Sequence, residues 1–182
     1  FKSPYPDFEN PADLNKGNNY EVTVAASDGN GSAYQNFTIE IINSYEPAFF
    51  TSSSTYSVNE NQTAVGTVTV SDVDVGDIHN FTIQPQSYPD DGSKFDINST
   101  TGVLSFVSAL DFESNSSTDG NNTYNFIVRA TDLGMIPSDL NITVNLQDDN
   151  DQPSLATGNT ALFSLEENST AGTVIADFNV TE

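Results

Sequence analysis

The segment DFENPADLNKGNNYEVTVAASDG at 7–29 returns as DFESNSSTDGNNTYNFIVRATDLG at 111–134. Asp7, Phe8, Glu9, Tyr20, Val24 and Asp28 match Asp111, Phe112, Glu113, Tyr124, Val128 and Asp132, each 104 positions on. YSVNENQTAVGTV at 56–68 returns as FSLEENSTAGTV at 163–174, and Pro47 matches Pro153. A chain self-similar at about 105 residues is built from tandem units, each a supersecondary assembly of its own. The boundaries fall at 1–46 (the tail of one unit), 47–152 (a complete second unit) and 153–182 (the head of a third). On this reading the sequence is an excerpt of a longer repeat protein.

Within the unit the apolar residues alternate with period two. Tyr124, Phe126, Val128 and Ala130 interleave with Asn125, Ile127, Arg129 and Thr131, and Leu140, Ile142, Val144 and Leu146 repeat the pattern. The first unit does the same with Tyr20, Val22, Val24 and Ala26, then Phe37, Ile39 and Ile41. Successive strand side chains point to opposite faces, so this alternation predicts strands with one buried face. Further strands are expected at 55–59, 66–71, 80–84, 95–97 and 103–106, separated by Gly, Asp, Asn and Ser turn clusters. No segment carries a helical period. The expected fold class is all-β: tandem seven-stranded, immunoglobulin-like Greek-key β-sandwiches with antiparallel strands.

Charge narrows the partners. The 182 residues hold 26 acidic and four basic side chains, for a net charge of −22. Nucleic acids and anionic membrane surfaces both demand basic patches, so neither is an expected partner. Cations are. No apolar run reaches the roughly 18 residues of a membrane span. The chain lacks cysteine, which removes disulfides and thiolate metal sites.

The acids gather at unit boundaries and turns: Glu60 in VNEN, Asp72 and Asp74 in SDVD, Asp111 and Glu113 in ALDFES, Asp132 in ATDLG, and Asp148, Asp149 and Asp151 in DDND. Carboxylates with asparagine and carbonyl oxygens form a hard ligand set suited to Ca²⁺ and its six to eight oxygens. An EF-hand does not fit. In DVDVGDIHNFTI the twelfth position is Ile83, where that loop requires a bidentate glutamate.

VNENQTAVGTV, SDVD, FDINSTTGVLSF, LDFE, VRATD and DDNDQP follow one another across nearly all of the second unit. In that order they resemble tandem cadherin repeats, in particular the cadherin-like repeats of large bacterial surface proteins. The resemblance implies seven-stranded sandwiches with Ca²⁺ bound between successive units, at the cell surface or outside the cell, in a stalk or fibre serving adhesion. It places Glu60, Asp111, Glu113, Asp148, Asn150 and Asp151 around the ions at the second junction, with Glu182 as a candidate contribution from the third unit. At the first junction it implies Asp72, Asp74 and Asp132 facing Asp7 and Glu9, with Asp77 or Asn80 as a possible addition. That junction departs from the family pattern. IINSYEP at 41–47 stands where the second junction has LQDDNDQP, which predicts fewer ions, or none, and easier bending.

Ten N-x-[ST] acceptors occur, at Asn30, Asn36, Asn61, Asn80, Asn98, Asn115, Asn121, Asn141, Asn168 and Asn179. Composition alone supplies roughly five, so a heavily N-glycosylated filament or surface-layer subunit is an alternative reading. A glycan-binding adhesin module is another, weakened by the absence of tryptophan. An enzyme is not expected, since no nucleophile–base pair is visible. Asp90 and Asp91 read as turn residues, His79 as a surface residue, and Arg129 as reaching outward or pairing with a nearby acid. Expected partners are neighbouring repeats, identical chains in a fibre, or cell-surface glycans and proteins.

Overall fold

A computed structural model describes residues 5–151, 154–155, 164–174 and 180–181. The residues from 47 to 151 carry a β-sandwich. One layer is a four-stranded sheet ordered β4 (Thr55–Asn59), β11 (Pro137–Gln147), β10 (Thr123–Thr131) and β7 (Asn80–Gln84). Facing it are a three-stranded sheet of β5 (Ala64–Thr67), β9 (Val103–Phe106) and β8 (Phe95–Ile97), and the short pair β3 (Phe49–Phe50) and β6 (Val70–Ser71). Ahead of the sandwich, β1 (Asn19–Ser27) and β2 (Ser32–Glu40) form an antiparallel hairpin. After it, β12 (Ser154–Leu155) pairs with β13 (Val180–Thr181).

The period-two pattern sets the core. On β10 Tyr124, Phe126, Val128 and Ala130 are buried, and their neighbours of opposite parity are only half-buried. Ile142, Val144 and Leu146 extend the same face along β11. Against them pack Val68, Phe95, Leu104 and Phe106 from the opposite layer. Phe95 stacks on Phe126 at 4.2 Å between ring centroids and tilts against Phe106 at 4.8 Å. Aromatic pairs at such distances add roughly 0.5–1.5 kcal/mol beyond area burial, so Phe95 on Phe126 fastens the two layers together while Phe95 and Phe106 brace one layer.

Two expectations change. The strand foreseen at 66–71 is two strands, β5 and β6, with a bulge between Ala64 and Gly66. The opening strand likewise divides into β3 and β4, across Thr51–Ser54. Thr51 and Ser52 donate their amides to the Thr69 carbonyl, and the chain then leaves that layer for the other. As a result β4 runs parallel to β11, from Thr55 opposite Thr143 to Asn59 opposite Gln147. Alternation records which face is buried but not strand direction, so an all-antiparallel sandwich was the wrong default. Gly102 shows how tightly the layers close. It has φ +68, and a Cβ there would lie 2.2 Å from the Val68 carbonyl oxygen.

In the β1–β2 hairpin the predicted apolar parity holds, but Val22, Val24, Phe37 and Ile39 are 40–51% exposed. Among the described residues no second sheet faces that hairpin.

Candidate cation-binding junctions

At the end of the sandwich nearest residue 151, three acidic residues converge. Glu60, Asp111 and Glu113 each offer an oxygen, and these oxygens lie within 4.8 Å of one another. Glu60 follows directly after β4 and is only 3% exposed. Its Oε2 accepts the Phe112 amide at 2.7 Å and its Oε1 accepts the Asp149 amide at 2.9 Å. One carboxylate thus ties the DFE segment to the DDND linker. Asp111 Oδ1 accepts the amides of Glu113 and Ser114, which curls the segment and turns both acids to the same side. A backbone hydrogen bond favours the ionised Glu113 carboxyl, but burial, the charges of Glu60 and Asp148, and a hydrogen bond to Asp111 outweigh it. The net shift is upward. Burial and the neighbouring acids both disfavour the ionised form there.

The linker side is less closely drawn in. Asp151 accepts the Asn61 side-chain amide at 3.2 Å, and Asn150 donates to the Asp151 carbonyl at 3.0 Å. Asp148 reaches this site as a charge acting on Glu113. Glu182 lies outside the described residues.

Asn122 supports the DFE segment from behind. It is buried, has φ +57, and donates Nδ2 to the Phe112 carbonyl at 2.7 Å. Asn18, 104 positions earlier, has φ +62 and donates to the Phe8 carbonyl at 2.8 Å. Neither residue was singled out from the sequence, although the repeat offset pairs them. The position before each is a loop with interchangeable parts. Asp13 accepts the amides of Gly17 and Asn18, and Ser117 accepts those of Asn121 and Asn122.

The opposite end of the sandwich gathers a second group. Glu9, Glu46 and Asp74 bring three oxygens within 4.8 Å, and Asp72, Asp77 and His79 do the same with their ligand atoms. Asp74 is buried, accepting the Asn43 side-chain amide at 2.7 Å and the Glu46 amide at 3.0 Å. Burial above all, then Glu9, Asp74, Asp7 and Asp72, push the Glu46 carboxyl up. Its Oε2 is enclosed without a hydrogen-bond partner, as are Asp77 Oδ2 and Asp132 Oδ2. Asp132 is buried, and its other oxygen accepts the Ile136 amide at 2.7 Å. Asp7 and Glu9 line a cleft of about 540 Å³ together with Ile42, Glu46 and Val73. Asn80 is exposed, and no acid group includes it.

Three side chains depart from, or sharpen, their sequence reading. His79 is not a surface residue. Its side chain is 11% exposed and its Nε2 lies 3.0 Å from Asp72 Oδ2. Burial raises the Asp72 carboxyl, but His79 and the Asp74 amide outweigh it and hold the group below the usual range. Asp91 is more than a turn residue. It is 1% exposed, and its carboxylate accepts Thr118 N and Oγ1 at 2.7 Å and Asn125 N at 2.8 Å. Arg129 pairs with Asp139 through two nitrogens at 2.7 and 2.8 Å. Of the sequon asparagines, nine are exposed, and Asn179 lies outside the described residues.

Known proteins converge on one family. The profile of the Cadherin domain matches residues 54–153. Human Protocadherin gamma-C4 is 33% identical over 94% of this chain and 19% of its own length. Mouse Protocadherin Fat 4 is 31% identical over 90% of this chain and 3% of its own. The chain therefore spans about a fifth or less of these relatives. Among solved structures, mouse Cadherin-23 EC22-24 superposes with a TM-score of 0.57 at 25% identity, covering 94% of this chain and 56% of that one. Protocadherin Gamma B7 extracellular cadherin domains 1-4 give 0.57 at 22% identity, covering 93% of this chain and 42% of that one. These relatives are protocadherins and a cadherin of animals, not the bacterial surface proteins expected from the sequence. Cadherin domains are extracellular adhesion modules rather than enzymes, and among the described residues no helix is long and apolar enough to cross a membrane. The chain belongs to the cadherin domain family.

Proposed function

We propose that this chain is a stretch of tandem repeats, at 1–46, 47–152 and 153–182, within an extracellular adhesion stalk stiffened by Ca²⁺. The observation carrying this reading is the convergence of Glu60, Asp111 and Glu113, three oxygens within 4.8 Å. The donor set is entirely oxygen and fits a hard cation better than a transition metal. Asp148, Asn150 and Asp151 on the linker would complete the shell at this junction, so that one ion touches both the sandwich and the strap leaving it. Asp7, Glu9, Asp72, Asp74 and Asp132 are the corresponding candidates at the first junction.

The energetics favour stiffening over folding. Extracellular modules bind Ca²⁺ with dissociation constants around 10⁻⁴–10⁻³ M. At tenfold saturation each ion stabilises its site by about 1.4 kcal/mol, small beside a domain stability of about 5–15 kcal/mol. A linker held by few contacts is affected far more than a packed sandwich. Partners are the neighbouring repeats and identical chains alongside. A solved relative, protocadherin gammaB7 EC3-6, is described as a cis-dimer, which supports lateral pairing as the mode to test. The exposed asparagines from Asn30 to Asn168 are acceptors compatible with a glycoprotein surface.

Terbium luminescence sensitised by tyrosine, displaced by calcium, tests the metal. Small-angle scattering of three or more complete repeats, with calcium and with chelator, tests the mechanism. Dimensions that do not change on chelation would remove the calcium-stiffened stalk.

A further inference from the structure

The linker at 42–46 differs from the one at 148–152 by more than a loss of ligands. At an offset of 106, Ile42, Asn43 and Tyr45 replace Asp148, Asp149 and Asp151. Three carboxylates are thus exchanged for an apolar side chain, an amide donor and an aromatic ring. Each replacement has a chemistry the aspartate lacked, and two of them are already engaged.

Asn43 Nδ2 donates to Asp74 Oδ1 at 2.7 Å, and the Glu46 backbone amide donates to Asp74 Oδ2 at 3.0 Å. Asp74 is 6% exposed, and both part-buried bonds end on its carboxyl oxygens, an acceptor of the stronger class. Tyr45, between them, lies against the backbone of Gly134. A Cβ on Gly134 would sit 2.5 Å from Tyr45 Cβ and 2.6 Å from its Cγ. The glycine is required here for space. Just downstream, Ser138 Oγ donates to the Ala48 carbonyl at 2.5 Å, so the strap is fastened to the sandwich beyond its end as well.

We propose that the first junction is a metal-independent lock, in which Asn43, Tyr45 and the Glu46 amide hold the linker on Asp74 and Gly134 of the following sandwich. The substitutions that remove linker carboxylates supply a protein donor, Asn43, to Asp74 and a ring that packs on Gly134. The stalk then carries a joint that keeps its orientation when calcium is withdrawn, beside one that does not. This reverses the looser hinge expected from the missing aspartates. Asp74 shares an oxygen cluster with Glu9 and Glu46, so a cation drawn there adds to this lock without being needed for it.

Heteronuclear NMR of the whole chain tests the lock locally. In chelator, cross-peaks between the Tyr45 ring and the Gly134 α-protons should persist. The Glu46 amide should exchange about tenfold or more slowly than in the Gly134→Ala variant, since exchange reports the local opening of that bond. Gly134→Ala should abolish the cross-peaks with and without calcium, while the Tyr124 and Phe126 core resonances stay in place. If that variant loses its core resonances, Asn43→Ala replaces it and should speed Glu46 exchange in the same way. Tyr45–Gly134 cross-peaks that vanish in chelator and return with calcium would overturn the proposal. So would unchanged Glu46 exchange in Asn43→Ala.

Discussion

Replacing Glu60 with glutamine separates the two tasks this side chain performs. Its two oxygens accept the Phe112 and Asp149 amides. Glutamine keeps one acceptor, and its NH₂ group then faces an amide donor. An unmade hydrogen bond at a buried site costs about 1–3 kcal/mol. Against that, neutralising Glu60 relieves its repulsion with Asp111 and Glu113, about 1 kcal/mol per pair at 4 Å in a water-like dielectric. The two effects nearly cancel, so in chelator Glu60→Gln should unfold within a few degrees of the parent. In calcium they do not cancel on the proposed reading, because glutamine keeps a carbonyl oxygen but brings no negative charge to the ion. The parent should gain about 1.4 kcal/mol at tenfold saturation, or about 7 °C in a domain of roughly 100 residues. Circular dichroism melts at matched ionic strength, in chelator and in saturating calcium, read both quantities. The variant should lose most of that calcium-dependent rise. An equal rise in Glu60→Gln and parent would refute the placement of a cation among Glu60, Asp111 and Glu113.

Asp91→Ala removes the acceptor for Thr118 N, Thr118 Oγ1 and Asn125 N; Thr118 Oγ1 keeps the Asp90 carbonyl, and two part-buried backbone amides lose their partner. A loss of about 3 kcal/mol or more in urea unfolding is expected, equal with and without calcium. A loss confined to calcium-loaded protein would tie Asp91 to the metal instead. Asp139→Asn tests the surface pair with Arg129. Arg129 holds the Asp139 carboxyl below its ordinary value against the opposing effect of burial. The pair therefore stabilises above the unfolded-state pKa of about 3.9, and the contribution is lost as pH falls through the lower folded value. The Tm difference between parent and variant should be small at neutral pH, as for other exposed pairs, and vanish at strongly acidic pH. A difference that persists there would contradict the assignment.

The features that were legible in the sequence share a physical basis: they depend on burial parity or on composition. Strands at 55–59, 80–84, 95–97 and 103–106 agree with the structure residue for residue, because each alternates over a face that must be apolar. The concentration of acids at turns was legible from composition, and the grouping of Glu60, Asp111 and Glu113 came from the resemblance to cadherin repeats. What was not legible depends on donors and acceptors meeting across long separations. Asp91 reaches Asn125 and Thr118 across 27 residues or more, and nothing in SYPDDGS distinguishes it from its exposed neighbour Asp90. His79 reads as solitary until Asp72 is placed 3.0 Å away. The first linker shows the limit most clearly. Counted as ligands, Asn43, Ser44 and Tyr45 are losses, and the sequence predicts a weak joint. Counted as donors and contact surface, Asn43 and Tyr45 meet partners, Asp74 and Gly134, that lie 31 and 89 residues further along. A pattern of missing acids therefore says only that the linker offers fewer carboxylates. Whether the junction has weakened depends on what the replacing side chains touch.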